Sequence, residues 1–246
     1  NYTIEMWGYF SSYPNSQNAL YSNGTTDATT TAVVYINSSG TFSIYNNPSS
    51  ITTSTTVPLN QWNHLAVVRN SGTVTLYING TSGVSGSNSN DISNTSVQVM
   101  RGYGGITSSP IGSISNLRVV KGQALYTTNF TPSTTPLTAI TNTVLLTLQD
   151  GTLKDNSTNA YALTLSGTVR PMSISPFTQP AYSGTLASAG CGYFDGTGDY
   201  LTVPNYSVNW STFGSYTFEF WVYHTAVAAT NQTYLSTGTT GYTNFY

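Results

Sequence analysis

Carboxylates are the groups in this chain most able to do chemistry, and they are few. The 246 residues contain eight aspartates and glutamates, and the only glutamates are Glu5 and Glu219. Cleavage of a glycosidic bond needs two carboxyl groups facing each other across it. Each glutamate stands alone in its predicted strand, and on an alternating pleat Glu5 shares a face with Thr3, Trp7 and Tyr9. This pattern favours a role in orienting neighbouring side chains, and we predict that the chain is not an enzyme.

Histidine and cysteine offer no evident nucleophilic machinery. His64 lies inside an apolar stretch, which predicts a hydrogen-bonded imidazole in the core. His224 lies in the second copy of an internal repeat that is described below, and the equivalent position in the first copy is Phe10. No Ser-His-acid or Cys-His arrangement stands close in the sequence. The single Cys191 cannot form an internal disulfide, so we expect the fold to rely on packing.

Tyrosine is the residue type that points to ligand binding. A sugar is held by an aromatic ring against the apolar face of its pyranose, with amides and hydroxyls at the rim. Nineteen tyrosines lie in a chain rich in Asn, Ser and Thr. We predict that most of them pack within or over a β-sheet. Three tyrosines in predicted turns are the candidates for carbohydrate binding, namely Tyr13, Tyr103 and Tyr126.

Charge is scarce, which excludes two classes of partner. Charged residues make up 6% of the chain, against roughly 25% in typical soluble proteins, and the net charge is −2. Binding of nucleic acid needs clustered lysines and arginines, and only six are spread along the chain. The sequence contains no polybasic anchor and no run of about 18 apolar residues. We therefore predict no nucleic-acid partner and no membrane insertion.

The hydrophobic pattern predicts strands and turns without helices. Candidate strands are rich in Thr, Val, Ile and Tyr, and they cover residues 2–10, 31–36, 41–45, 62–69, 73–78, 96–100, 111–120, 143–148, 162–165, 200–203 and 216–224. Residues 62–69 and 73–78 flank Asn70-Ser71-Gly72, which predicts a hairpin with a three-residue turn, and Asn79-Gly80 predicts a second tight turn into a third strand. Many short strands predict an all-β, two-sheet antiparallel sandwich.

An internal repeat appears when the sequence is shifted by 214 positions. Residues 1–10 then lie over residues 215–224, and Tyr, Thr, Glu, Trp and Tyr coincide without a gap. A period of this length is a whole domain. We predict a tandem array in which residues 1–170 are one jelly roll lacking its first strands, with a C-terminal extension from about residue 121. Residues 171–190, with three prolines, are the predicted linker, and residues 191–246 are the predicted opening strands of the next repeat.

Four segments resemble the laminin-G-like jelly rolls of the concanavalin A-like lectin and glucanase superfamily. Residues 194–204 resemble its opening strand and residues 216–222 its next core strand, whereas residues 62–80 resemble its central hairpin and residues 111–119 its closing strand. The superfamily includes glycoside hydrolases and frequently binds calcium. This resemblance implies a structural calcium site at Asp195 and Asp199, which flank a Gly-Thr-Gly turn, although both also serve as ordinary turn formers. Asp150 and Asp155 form a weaker pair, and no other cofactor is expected.

A narrower resemblance links the chain to structural and tail-associated proteins of marine bacteriophages. The segments that carry it are residues 124–126, 130–132, 136–138, 145–149, 155–157 and 176–177. It implies a non-catalytic structural and adhesive module of a virion appendage, on a virion or extracellular surface, that binds host-surface glycans and contacts other copies of itself or neighbouring repeats. The alternatives are a bacterial extracellular adhesin or filament subunit and a glycan depolymerase.

Overall fold

The described residues form antiparallel β-strands joined by turns, and none of them lies in a helix. A computed structural model of the chain describes residues 1–90, 92–103, 106, 108–150, 152–172, 174–177, 235–236 and 244–245. Contacts between Cα atoms divide the chain into two units, Asn1–Gly192 and Tyr193–Tyr246. The described parts contain no helix of the length and apolarity that a bilayer crossing requires.

The first unit contains two antiparallel sheets. Its strands are β1 (Tyr2–Ser12), β2 (Gln17–Ser22), β3 (Val33–Asn37), β4 (Thr41–Asn46), β5 (Ser49–Thr56), β6 (Trp62–Asn70), β7 (Thr73–Ile78), β8 (Thr81–Ser87), β9 (Gln98–Val99), β10 (Ile111–Lys121) and β11 (Thr143–Thr147). The strand order is β11-β10-β1-β6-β7-β8 in the six-stranded sheet and β5-β4-β3-β2-β9 in the five-stranded sheet. In the second unit, β12 (Leu235–Ser236) pairs with β13 (Asn244–Phe245).

The main hydrophobic core lies between the two sheets. Alternate residues of β1 point inward, and they meet apolar side chains from both sheets in one buried cluster, including Ile4, Met6, Phe10, Leu65, Leu76, Leu20, Val34, Phe42 and Ile44. Burial of apolar surface at this interface is the main stabilising term of the unit. The predicted all-β, two-sheet antiparallel sandwich is confirmed.

The outer face of the six-stranded sheet is also covered. Residues that alternate with the core positions on β6 and β7 form a second cluster with the chain that follows β10, namely Ala66, Val68 and Tyr77 with Ala124, Tyr126 and Phe130. We call residues 124–130 the covering segment. It explains why Thr3 and Glu5, which point away from the core, are fully buried. The central strands of this sheet are therefore buried on both faces.

Most of the predicted strands of the first unit are present. The segments predicted at 2–10, 31–36, 41–45, 62–69, 73–78, 96–100, 111–120 and 143–148 coincide with strands to within a few residues. The Asn79-Gly80 turn and the third strand after it are confirmed. The first hairpin differs from its prediction, because Asn70 pairs with Thr73 and the turn has two residues. Ser71 and Gly72 both have positive φ, at 48° and 85°, as a type I′ turn requires.

One predicted strand is wrong, and two strands of the first unit were not predicted. Residues 162–165 alternate in polarity but form no strand, because no described strand pairs with them and a lone strand leaves its backbone groups unsatisfied. Strands β2 and β5 contain many Ser, Thr and Asn residues, which are typical of turns. They are strands because each lies beside an apolar strand that orders it.

The predicted repeat falls largely outside the described residues. So do the strands predicted at 200–203 and 216–224, Cys191, Asp195, Asp199, Glu219 and His224. The limits of the jelly roll, of the linker at 171–190 and of the following repeat stay predictions.

Gly80 ties the β7–β8 turn to the covering segment. Its φ is +78°, and its carbonyl accepts a hydrogen bond of 2.9 Å from the backbone nitrogen of Phe130. A Cβ atom on Gly80 would overlap the carbonyl of Phe130, and residue 80 therefore has to be glycine. Gly72 has a similar φ of +85°, but nothing lies within 4 Å of a Cβ there.

These two glycines form a matched pair for a stability test. Gly80→Ala should lower the free energy of unfolding by about 3 kcal/mol or more, since it adds a clash with the Phe130 backbone to the conformational strain. Gly72→Ala carries only the strain and should lower it by about 1 kcal/mol. Urea unfolding of the full chain, followed by tryptophan fluorescence, measures both. Equal losses would show that the covering segment does not depend on this contact.

Candidate functional site

The glutamate of the first unit is held in a closed polar network. Glu5 on β1 is fully buried and lies directly opposite Arg118 on β10. Its Oε1 atom accepts hydrogen bonds from Nε and Nη2 of Arg118 at 2.9 and 2.6 Å. Its Oε2 atom lies 3.1 Å from Nε2 of His64 and accepts a hydrogen bond of 2.8 Å from the hydroxyl of Tyr126. We call these four residues the Glu5 network.

Both oxygen atoms of the Glu5 carboxylate are engaged by residues of the network. Burial alone would raise the pKa of Glu5, but the His64 hydrogen bond and the Arg118 charge outweigh it and hold that pKa below its ordinary value. A general acid needs a raised pKa and access to substrate, and Glu5 has neither. His64 is fully buried and bonded, as predicted. Glu5 therefore orients its neighbours, as its position in the sequence indicates.

Tyr126 and Tyr13 are two of the three tyrosines predicted to bind carbohydrate, and the hydroxyl group of each donates a hydrogen bond within the protein. Tyr126 donates to Glu5, and its ring stacks on Phe130 with centroids 3.6 Å apart and planes at 5°. Tyr13 donates to the Val57 carbonyl at 3.0 Å, and its ring packs against Phe10. Each of these rings packs against a neighbouring aromatic ring, and their part in carbohydrate binding stays a prediction.

A shallow groove of about 350 Å³ lies over Trp7 on the outer face of the six-stranded sheet. Its other walls are Asn79, Pro132, Ser133, Thr134, Pro176 and Phe177. Phe177, which falls in the predicted linker, is buried and meets Trp7 edge to face at 5.7 Å. The Asn79 amide is occupied by hydrogen bonds to residues 63 and 64. The groove thus offers mainly apolar surface.

Tyr103, the third predicted tyrosine, lies in a cluster of aromatic and polar side chains on the five-stranded sheet. Its ring centroid is 6.2 Å from that of Tyr45, with planes at 38°. Tyr35 belongs to the same cluster, and its hydroxyl lies 3.5 Å from Oγ of Ser50. Asn47 donates a hydrogen bond of 3.0 Å to the exposed Asp27 carboxylate. We call Asp27, Tyr35, Tyr45, Asn47 and Tyr103 the tyrosine patch.

Sheet geometry explains why these tyrosines meet. Strands β3 and β4 are neighbours, with Val33 opposite Tyr45 and Tyr35 opposite Ser43, so Tyr35 and Tyr45 point to the same outer face. Tyr103 lies in a turn that two backbone hydrogen bonds close: Gly102 N donates to the Ile106 carbonyl at 2.8 Å, and Ile106 N donates to the Tyr103 carbonyl at 2.7 Å. Ile106 is buried beneath the cluster and anchors that turn to the sheet.

Electrostatics link Asp27 to the phenols. Desolvation, and then the Asp27 charge, raise the pKa of both Tyr45 and Tyr103 above the ordinary value. The phenols therefore stay protonated at physiological pH and can serve as hydrogen-bond donors. Two half-buried tyrosines, a carboxylate and an amide thus meet at one surface, next to the buried Tyr35.

Only Tyr103 of this patch was singled out from the sequence. Tyr35 and Tyr45 lie in predicted strands, where packing is the ordinary role of tyrosine, and Asp27 and Asn47 lie in polar loops. Period-2 alternation could have placed residues 33, 35, 43 and 45 on two outer faces, but it does not tell which strands are neighbours.

The acids in the region after β11 have structural contacts. Asp155 accepts hydrogen bonds from the backbone nitrogens of Leu146, Ser157 and Tyr161, which hold its pKa low against the opposing effect of burial. Asp150 accepts from Thr152 in a local turn. Among the residues that the structure describes, no group of three or more His, Cys, Asp or Glu is placed to hold a metal ion. The calcium site predicted at Asp195 and Asp199 lies outside the described residues.

Comparison with known proteins adds a family to this geometry. A protein-family model described as the concanavalin A-like lectin/glucanases superfamily matches residues 1–125, about half of the chain. No curated protein matches the sequence.

Three solved structures illustrate the likeness. A candidate carbohydrate-binding protein of Bacteroides ovatus has 16% identity and a TM-score of 0.46 over 63% of this chain and 48% of that one, so the chain spans about half of its length. The IT-sialidase CBM40 of Ruminococcus gnavus has 17% identity and a TM-score of 0.39 over 46% and 71%. Domains LG4-5 of the mouse laminin α1 chain have 17% identity and a TM-score of 0.38 over 54% and 38%.

Substitutions in the Glu5 network should destabilise the fold in a graded order. Glu5→Gln leaves the buried Arg118 without its counter-charge and should cost about 3–5 kcal/mol. Tyr126→Phe removes one hydrogen bond to a charged acceptor and should cost about 1.5–3 kcal/mol. Tyr161→Phe, at an exposed tyrosine, is the control and should change little. Urea unfolding of the full chain tests this order, and a Glu5→Gln protein as stable as the original would contradict it.

Glu5 should also make the stability of the protein depend on pH. Because folding lowers the pKa of Glu5, this carboxylate adds to the free energy of unfolding. That contribution is complete above the ordinary pKa of 4.5 and is lost as the pH falls through the pKa that Glu5 has in the folded protein. The original protein should therefore lose stability below pH 4.5 more steeply than Glu5→Gln. Asp155 contributes in both proteins and cancels in the difference. Thermal unfolding between pH 3 and 7 gives the two curves, and parallel curves would exclude this account.

Proposed function

Because the chain belongs to the concanavalin A-like lectin/glucanases superfamily, we propose that it is a non-catalytic glycan-binding module that uses the tyrosine patch. The observation that carries the proposal is the meeting of Tyr45 and Tyr103, 6.2 Å apart, beside the exposed Asp27 and the Asn47 amide. Aromatic rings next to acceptors and donors are the groups that recognise a sugar.

Each group in the patch has a distinct part in binding. The rings of Tyr45 and Tyr103 take the apolar face of a pyranose, whose burial against carbon is favourable by area. A carboxylate offers about four acceptor positions, of which Asn47 uses one, and the rest accept ligand hydroxyls. The phenol and amide groups donate to ring and hydroxyl oxygens. Rigid strands hold Tyr35 and Tyr45, so little ordering is lost on binding.

Hydrolysis is disfavoured by the state of the carboxylates. Glu5 is buried and bonded to three partners, and Asp155 caps backbone nitrogens. A depolymerase would need a second carboxyl group facing Asp27 across a sugar. The competing reading is tested by incubating the chain with the bound glycan and measuring new reducing ends. Release of sugar would establish a depolymerase in place of a binding module.

The setting that we propose is a virion appendage, a tail fibre or decoration, that displays the patch to glycans on the host surface. The narrower resemblance to phage tail-associated segments supports it, as does the 6% charge content, which gives solubility without a field that attracts nonspecific partners. An array of repeats would multiply weak single sites into useful avidity. The alternative is a bacterial extracellular adhesin or filament subunit.

Antibody labelling distinguishes these settings. Gold-labelled antibodies raised against the full chain should decorate purified virions at the tail or capsid surface under the electron microscope. Labelling of uninfected cell surfaces or pili, with bare virions, would favour the adhesin.

The binding proposal is tested on a broad glycan array, followed by calorimetry with the glycan that binds. Tyr45→Ala and Tyr103→Ala should each weaken binding about tenfold, since one ring is worth roughly 1.5 kcal/mol. Tyr161→Ala removes an exposed tyrosine far along the chain from the patch and should bind as the original does. Unchanged thermal unfolding shows that the variants are folded. Silence across the array, or binding that both patch variants retain, would overturn the proposal.

A further inference from the structure

The Asp27 carboxylate is a charge without a counter-ion. In the part of the chain that the structure describes, Glu5 and Arg118 form an ion pair, and Asp27 takes part in none. Its side-chain partner Asn47 is neutral. Because Asp27 is exposed, a ligand charge can reach it from solvent.

The rest of the patch does not offset that charge. Desolvation aside, the groups that act on the Tyr103 phenol are Asp27 and the two other tyrosines, and all of them favour its protonated form. Asp27 is the ionised side chain among the five residues of the patch, so the patch itself carries a negative charge.

Aromatic rings add to the same preference. The faces of a tyrosine ring carry partial negative charge and attract cations within about 6 Å of the centroid. Tyr45 and Tyr103 are tilted at 38°, so a small group between them would meet both rings at an angle. A carboxylate beside such rings is a site for an ammonium group, and it repels a sugar acid.

We propose that the glycan bound by the tyrosine patch carries a free, protonated amine, as in an unacetylated hexosamine. This inference rests on the proposed function, because it names the sugar class for the same site. The ammonium group lies against Asp27 and the ring faces, while the pyranose carbons stack on Tyr45 or Tyr103. Uronic and sialic acids are disfavoured, because their carboxylates would face Asp27.

Three oligosaccharides of similar length make the comparison: a glucosamine trimer, its N-acetylated form and a galacturonic acid trimer. Calorimetry with the full chain at pH 6 keeps the amines protonated. The glucosamine trimer should bind about three- to tenfold more tightly than the acetylated form, and the acidic trimer most weakly. The preference should shrink in 1 M salt, because exposed charges are screened.

Two charge variants separate the site from general attraction to an acidic protein. Asp27→Asn should bring glucosamine binding down to the level of the acetylated trimer. Asp150→Asn removes one exposed carboxylate from another region and should leave the preference intact. A preference that survives Asp27→Asn, or that Asp150→Asn abolishes equally, would overturn the inference.

Failure of the inference is distinguishable from failure of the proposed function. Equal or tighter binding of the acetylated or acidic trimer, still lost in Tyr103→Ala, overturns the amine preference and leaves glycan binding at the patch. Absence of binding by any sugar on the array overturns both.

Discussion

A single buried carboxylate ties together the elements that everything else in the first unit depends on. Glu5 sits on the central strand β1, receives Arg118 from β10 on one side and His64 from β6 on the other, and accepts from Tyr126 of the covering segment. Removing any one partner leaves a polar or charged group in a site that water does not reach, so the contacts are strongly interdependent. Arg118 also donates to the Thr138 carbonyl at 2.9 Å, which extends the same constraint to the chain before β11.

This constraint divides the two sheets into different roles. Because the covering segment closes the outer face of the six-stranded sheet, the groups there are committed to the fold, and Tyr126 is one of them. The five-stranded sheet has a looser cover, in which Ile106 and its turn pack over Ala19 and Val33 while Tyr45 and Tyr103 keep accessible surface. The binding that we propose thus uses the sheet whose outer face has the looser cover.

The sequence predicts the architecture better than the site. Strands such as β6 and β7 carry enough Val, Leu and Ile to be recognised alone, whereas β2 and β5 have the composition of turns and become strands only beside partners. Glu5 was correctly interpreted as an orienting residue, but Arg118 and Tyr126 lie 113 and 121 residues away, and no local pattern connects them. Tyr103 was selected because it lies in a predicted turn, and its role in binding stays a prediction. Tyr35 and Tyr45 were not selected, because a tyrosine that binds a ligand and one that packs cannot be told apart within a strand.

Because the chain has few charged residues, each exposed charge has a large effect on the electrostatic potential around it. In a protein with many surface charges, one aspartate adds little to a potential that its neighbours already set. Here only 6% of residues are charged, and the screening length in physiological salt is about 8 Å, so an exposed carboxylate dominates its own surroundings. Arg118 is buried and compensates Glu5 from within. In the binding that we propose, Asp27 is therefore the charge that a ligand at the tyrosine patch would meet first, and its sign would disfavour acidic sugars.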